Sequence, residues 1–294
     1  MFYRRKILLA LIQTLGGRVN NTDFQKYLFL VNEFTSKTYY NFVPYKYGCF
    51  SFQSYSDKRT LTKYTILKNY DDAWIKNDKV DYLSMLSNPD RAALNKLKVN
   101  FSSLKGDDLI KHIYRKYPYY ATRSELMEKL LTPEEIEVVN KKRNSDHTIK
   151  LFTLGYENRD IDEFANQLLL NNIKVLCDVR KNPVSMKYGF SKKQLKDTFG
   201  KFDIEYTHIP ELGIDSAKRK NAALAGDYKH LFDEYSNDVS NNKLEYIVKI
   251  LNLLTEYKRV ALVCFEYDPS NCHRSRIAQL ASELSRNKLN VANL

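Results

Sequence analysis

The chain has 294 residues, 43% hydrophobic and 28% charged, which is enough for two domains that each bury a core. No run approaches the ~20 apolar residues that span a bilayer, so no membrane partner is expected. The formal net charge of +12 is uneven: residues 1–68 hold eleven Lys/Arg against three Asp/Glu, a net of +8, while residues 149–294 hold 22 against 19, a net of +3. That bias points to DNA or RNA as a partner of the basic N-terminal segment, with a solubilising surface as the plainer alternative. Cys49, Cys177, Cys264 and Cys272 fit no disulfide framework and no two-pair zinc pattern, and a reducing, cytoplasmic compartment is expected.

In chain order, the opening MFYRRKILLALIQTLGG is basic then apolar, like a signal peptide. Ile7, Leu8, Leu11, Ile12 and Leu15 nevertheless recur at helical spacing, Gln13 interrupts the run, and no small-residue cleavage site follows. The pattern predicts an amphipathic helix over 4–16 that stops at Gly16-Gly17. Asn21 or Thr22 is placed to cap a second helix carrying Phe24, Tyr27, Leu28, Leu30 and Val31. Residues 39–48 read as an extended aromatic segment, and 52–69 as helical again. Together they suggest a winged-helix-like arrangement. Residues 70–148 are mostly helical by pattern, with breaks at Pro89 and Pro118, and the polar run 141–146 is the candidate linker. The expected division is a mostly helical, basic N-terminal domain over 1–145 and an α/β domain over 146–294.

From residue 149 strands alternate with helices. Strands are predicted at 149–154, 173–179, 204–209 and 259–265. Helices are predicted at 160–170, from a Ser191 cap to about 199, at 216–239 and 243–256, and from Asn271 to about 285. This order implies a Rossmann-like, mainly parallel sheet with helices on both faces. Ligands of such sheets sit beyond the carboxyl ends of the strands, where the chemistry-bearing residues of this chain collect.

The fourth strand ends in Cys264-Phe265-Glu266. After a Pro-containing turn, a helix begins near Cys272-His273-Arg274-Ser275. A helix N-terminus and nearby arginines favour both a thiolate and a bound anion. Cys272 is therefore the candidate nucleophile, with His273 as proton carrier and Glu266 or Asp178 as the carboxylate His273 could pair with, and Cys264 is counted with them among the candidate catalytic residues. The alternatives stay open: a thiol on an apolar strand is ordinarily a small buried hydrophobe, and a metal held by Cys264, Cys272 and His273 is not excluded. Arg180, Arg274 and Ser275 are the candidate anion binders, and Tyr156, Glu157, Ser185, His208 and Glu211 the candidate pocket residues. No nucleotide-cofactor fingerprint is present.

Two resemblances follow from these residues. Thr153-Leu154-Gly155-Tyr156-Glu157, Asp178-Val179-Arg180 with Asn182-Pro183 and Ser185, Phe190-Ser191, residues 206–213, and Cys264-Phe265-Glu266 with Cys272-His273-Arg274-Ser275 resemble the domain-of-unknown-function 488 family, in order, over about 149–294. The resemblance implies a Rossmann-like domain and supplies no reaction. The Leu-rich second helix, the stretch 42–48 and Phe50-Ser51 resemble the small helical domain of the Panacea and YwgA-like proteins. A fainter likeness to rhodaneses and Cys-dependent phosphatases rests on Asp178-Val179-Arg180, but the Cys–Arg spacings do not fit their loops. Three functions compete. One is a hydrolase or transferase acting on a nucleic acid or nucleotide. A second is a non-catalytic DNA-binding or regulatory protein with an anionic-ligand pocket. The third is an accessory protein of a bacterial toxin–antitoxin or phage-defence locus.

Overall fold

The computed structural model describes residues 1–286 and 289–294, the side chains of residues 216, 223 and 225 excepted. The chain divides into two compact units, Met1–Arg143 and Asn144–Leu294. No helix among the described residues is long and apolar enough to cross a membrane.

The first unit is mostly helical. Its elements in order are α1 (Tyr3–Thr14), β1 (Arg18–Asn20), α2 (Asn21–Phe34), β2 (Val43–Tyr45), β3 (Gly48–Phe50), α3 (Phe52–Lys63), β4 (Ala73–Ile75), α4 (Asn88–Phe101), α5 (Gly106–Lys116), α6 (Met127–Leu130) and α7 (Pro133–Asn140). β1 pairs with β4 and β2 with β3, both antiparallel. α1 is not one-sided as its spacing suggested: Ile7, Leu8, Leu9, Ala10, Leu11 and Ile12 are all fully buried, because α2 and α4 both pack on it. The cap of α2 is Asn20, whose side chain accepts from Asp23 N at 2.8 Å, one residue earlier than the pattern placed it. Pro89 does not break a helix but stands in the first turn of α4, where its missing N–H has no intrahelical partner to lose.

The second unit contains β5 (Lys150–Gly155), α8 (Ile161–Leu170), β6 (Val175–Asp178), α9 (Lys192–Phe199), β7 (Glu205–His208), α10 (Ser216–Ala225), α11 (Tyr228–Asn242), α12 (Leu244–Tyr257), β8 (Arg259–Cys264), α13 (His273–Leu284) and β9 (Val291–Asn293). The five strands form one parallel sheet in the order β7-β6-β8-β5-β9. Leu151, Val175, Cys177, Val260 and Leu262 face one side and pack with Val239, Ile247, Ile250 and Ile277 of α11 to α13. The alternate residues Phe152, Leu154, Leu176, Ala261 and Val263 are equally buried on the other face. Phe164 of α8 meets Phe190 edge-on and Phe199 at a tilt.

Four details differ from the pattern. β9 has only three residues, too few for an alternation to register. The predicted helix over 216–239 is two, broken at Gly226 (φ 67°), with Asp227 capping the second. Ser191 does not cap α9, because its hydroxyl is engaged with the backbone of Ser185. The last helix opens at His273 rather than Asn271, since Asp268 caps a separate single turn, Pro269–Asn271.

Candidate active site

The sheet has a topological switch point between β6 and β8. After β6 the chain moves outward to β7; after β8 it moves the opposite way, past β5, to β9. Right-handed crossovers then leave on opposite faces, and a crevice opens between the two strand ends. Asp178 is the last residue of β6 and Cys264 the last of β8.

Gly155 sets the height of the β8 loop. A Cβ there would lie 1.7 Å from the Glu266 carbonyl oxygen, so only glycine lets the two backbones meet. Arg274, fully buried in the first turn of α13, ties the same loop down. Its guanidinium donates to the carbonyls of Glu266 and Tyr267, the latter at 2.9 Å, and to Thr153 Oγ1 at 3.3 Å. Ser275 Oγ donates to the Pro269 carbonyl.

Around this frame the candidate residues form two groups. In the first, Asp178 and Arg180 make a buried two-pronged ion pair, with Arg180 Nε on Asp178 Oδ1 at 2.9 Å and Nη2 on Oδ2 at 2.6 Å. Tyr206 donates to Asp178 Oδ2 at 2.7 Å, and Arg180 Nη1 donates to Tyr156 Oη at 2.9 Å. Burial opposes the Arg180 charge, but Asp178 outweighs it and holds the guanidinium above its ordinary range. The Tyr206 hydroxyl is raised by burial and by Asp178.

The second group gathers Cys264, Cys272, His273, Glu266 and Arg219. Cys272 is the extended residue preceding α13, and His273 opens the helix. His273 Nε2 donates to the Val179 carbonyl at 3.0 Å. A carbonyl only accepts, so the neutral ring carries its proton there and presents the Nδ1 lone pair to the crevice. Nδ1 lies 2.9 Å from Arg219 Nη2, 3.6 Å from Cys264 Sγ and 3.9 Å from Cys272 Sγ. Cys264 Sγ is 3.1 Å from Glu266 Oε2 and 4.0 Å from Arg219 Nη2, and Arg219 also pairs with Glu266.

Cys264 therefore has two states. Protonated, its S–H points to Glu266; ionised, it accepts from Cys272. Burial opposes ionisation, but the Cys272 hydrogen bond and the charges of Arg219 and Arg274 prevail and bring Cys264 down to about 7. Cys272 moves oppositely, pushed up to about 12 by burial and by its neighbour. The two sulfurs and His273 Nδ1 lie within 4.8 Å of one another, a donor set suited to a soft or borderline cation such as zinc.

Asp178, Cys264, Glu266, Cys272 and His273 thus gather around the crevice. Arg180, Arg274 and Ser275, expected to bind an anion, are engaged instead with an internal carboxylate, a tyrosine and backbone carbonyls, which position the loop and strand end. Tyr156 stacks on Phe190 at 4.4 Å, and Glu157 accepts from Tyr267 N. His208 bridges the Arg180 carbonyl and Lys192. Ser185 pairs with Ser191, and Glu211 lies in the turn after β7, within electrostatic reach of Tyr246. Arg219 went unnoticed in the sequence because it stands in the basic run Lys218-Arg219-Lys220, which reads as a solvated helix face. Residues 160–281 match the family described as "Domain of unknown function DUF488". The match leaves out β5 and β9, which belong to the same sheet. No curated protein and no solved structure matches the chain.

Proposed function

Proceeding from a C-terminal unit that carries a DUF488 domain, we propose that the protein is a cysteine-dependent hydrolase or transferase acting on a nucleotide or nucleic acid. The observation that carries this reading is the Cys264 thiol, brought to about 7 beside Arg219 and His273 at the switch point. A thiolate is the attacking form of cysteine, and the lowering of Cys264 by Cys272, Arg219 and Arg274 favours that form. Its sulfur forms the bond to the electrophilic centre while the bond to the leaving group breaks. His273 faces the sulfur through Nδ1 and, once Arg219 swings off that atom, takes the thiol proton and returns it to that leaving group. Water or a second substrate then releases the adduct. The net charge of +8 over residues 1–68 supports a polyanionic substrate.

The test is turnover of nucleotides, RNA and DNA, followed by mass spectrometry of trapped adducts. Cys264→Ser is expected to lose at least ~10³-fold in rate with an unchanged circular dichroism spectrum. Turnover at the wild-type rate in that variant removes the nucleophile. Salt-sensitive binding with no turnover favours the regulatory, non-catalytic reading instead.

One observation favours a second reading, a metal centre. Metal-binding histidines characteristically donate their other ring N–H to a carbonyl, as His273 does to Val179. Cys264, Cys272 and His273 would hold the ion, Glu266 would supply an oxygen, and Arg219 would have to leave Nδ1. Cobalt(II) titration of the reduced protein decides it: one equivalent with thiolate charge-transfer bands, lost in Cys272→Ser, supports the centre, and no such bands exclude it.

A further inference from the structure

The N-terminal unit contains a cavity of about 570 Å³ that the C-terminal chemistry does not use. Its walls are the start of α2, the β2–β3 hairpin, the start of α5 and Tyr55 of α3. The hairpin carries the aromatic stretch singled out in the sequence. Gly48 at its turn has φ 100°, and a Cβ there would lie 2.7 Å from a ring carbon of Tyr114, so the hairpin closes only with glycine.

Most polar groups deep in this wall are satisfied within the protein. Asp23 accepts from Gly106 N at 3.0 Å and from Asn20 Nδ2 at 2.8 Å, and Gln25 bridges Ser54 Oγ and Ser51 N, each at 2.9 Å. Lys26 is the exception. It is 2% exposed, its ammonium has three donors, and its one hydrogen bond is a long one, 3.4 Å to the Cys49 carbonyl. Among the described residues it has no ion-pair partner. Burial pulls its pKa below the ordinary lysine value. A buried amine with idle donors destabilises a fold unless something accepts from it.

We propose that this cavity binds a carbonyl-bearing nucleobase of the guanine type, as a nucleoside or nucleotide or as a base of single-stranded nucleic acid, with Lys26 donating to the ring carbonyl. The aromatic wall supplies flat faces: Phe50 stacks on Tyr55 at 5.0 Å, and Tyr45 lies 5.1 Å from Phe50. The charge of the lining sets the polarity of the ligand. Lys26 and Lys46 stand against Asp23, Asp72 and Asp107, which disfavours a buried polyphosphate. Asp23 is engaged with Gly106 and Asn20 and Asp107 with Lys129, so a guanine edge suits this set through O6, which accepts from Lys26, and through its ring and exocyclic N–H groups, which donate to Asp72. The inference concerns the N-terminal unit alone and stands whether or not Cys264 is a nucleophile.

The test uses the full chain, with Cys264→Ser as background to separate binding from turnover. Guanosine, guanosine monophosphate, adenosine, cytidine and a short guanine-containing single strand are titrated by calorimetry and by tryptophan fluorescence. Trp74, the chain's one tryptophan, is edge-on to Tyr55 at 5.4 Å and reports on the wall. Guanosine is expected to bind at least ~10-fold more tightly than adenosine or cytidine, and Lys26→Met to lose at least ~10-fold of that affinity. Lys26→Met is also expected to melt at the wild-type temperature or above, since it removes a buried charge. Binding of the single strand but not of guanosine, again lost in Lys26→Met, would place the base in a polymer and support the site. Three results overturn it: no binding of either at millimolar concentration, unchanged binding by Lys26→Met, or a fall in that variant's melting temperature of more than about 5 °C, which would make Lys26 structural.

Discussion

Removing the Arg219 charge by Arg219→Met should raise the pKa of Cys264. The guanidinium nitrogen lies 4.0 Å from Sγ, where two unit charges interact by about 4 kcal/mol at an effective dielectric constant near 20, or roughly three pKa units. Arg219 shares its charge with Glu266 and its side chain is 25% exposed, so screening reduces the effect to about two units. Loss of the guanidinium also leaves the Glu266 carboxylate facing the thiolate without compensation, which acts in the same direction. The thiolate transition, followed by ultraviolet absorbance, is thus expected near pH 7 in the wild type and near pH 9 in Arg219→Met. It should vanish in Cys264→Ser. A midpoint that does not move, or a transition that survives Cys264→Ser, refutes the electrostatic account. The linkage has a definite sign. A thiol whose folded pKa is depressed from 9.0 to about 7 stabilises the fold fully above pH 9 and loses that contribution as pH falls through 7. Cys272, raised to about 12, stabilises below pH 9 and loses its contribution as pH rises toward 12.

Asp178→Ala strands the buried Arg180 guanidinium and should cost about 3–5 kcal/mol in urea unfolding; a loss under about 1 kcal/mol would show that the pair is replaceable by solvent. Gly155→Ala forces the β8 loop away from β5, so the Cys264 transition should move together with a drop in melting temperature, whereas a variant with wild-type melting and titration would contradict the close approach to Glu266.

Local pattern carried a good deal of this protein. The apolar run 259–265 marked a central strand because a strand buried on both faces needs no alternation, and the end of that strand put Cys264 at the sheet edge. Cys272 and His273 were legible for the same reason, standing where a turn hands over to a helix. The fates of the charges were not legible. Asp178 and Arg180 share a strand face in any reading, but only packing against Tyr156 and Tyr206 shows that the guanidinium is engaged internally rather than presented to a ligand. Arg274 looked like an anion binder beside a helix N-terminus, yet the close approach at Gly155 brings backbone carbonyls to it instead. Arg219, 45 positions before Cys264, could be tied to that thiol only by the fold. Hydrophobic period is written residue by residue along the chain, so sequence alone placed the strands and the edge where the chemistry gathers. The partner of a buried charge is chosen by segments distant in sequence, and the tertiary structure alone determined which groups pair off and which thiol stands beside Arg219.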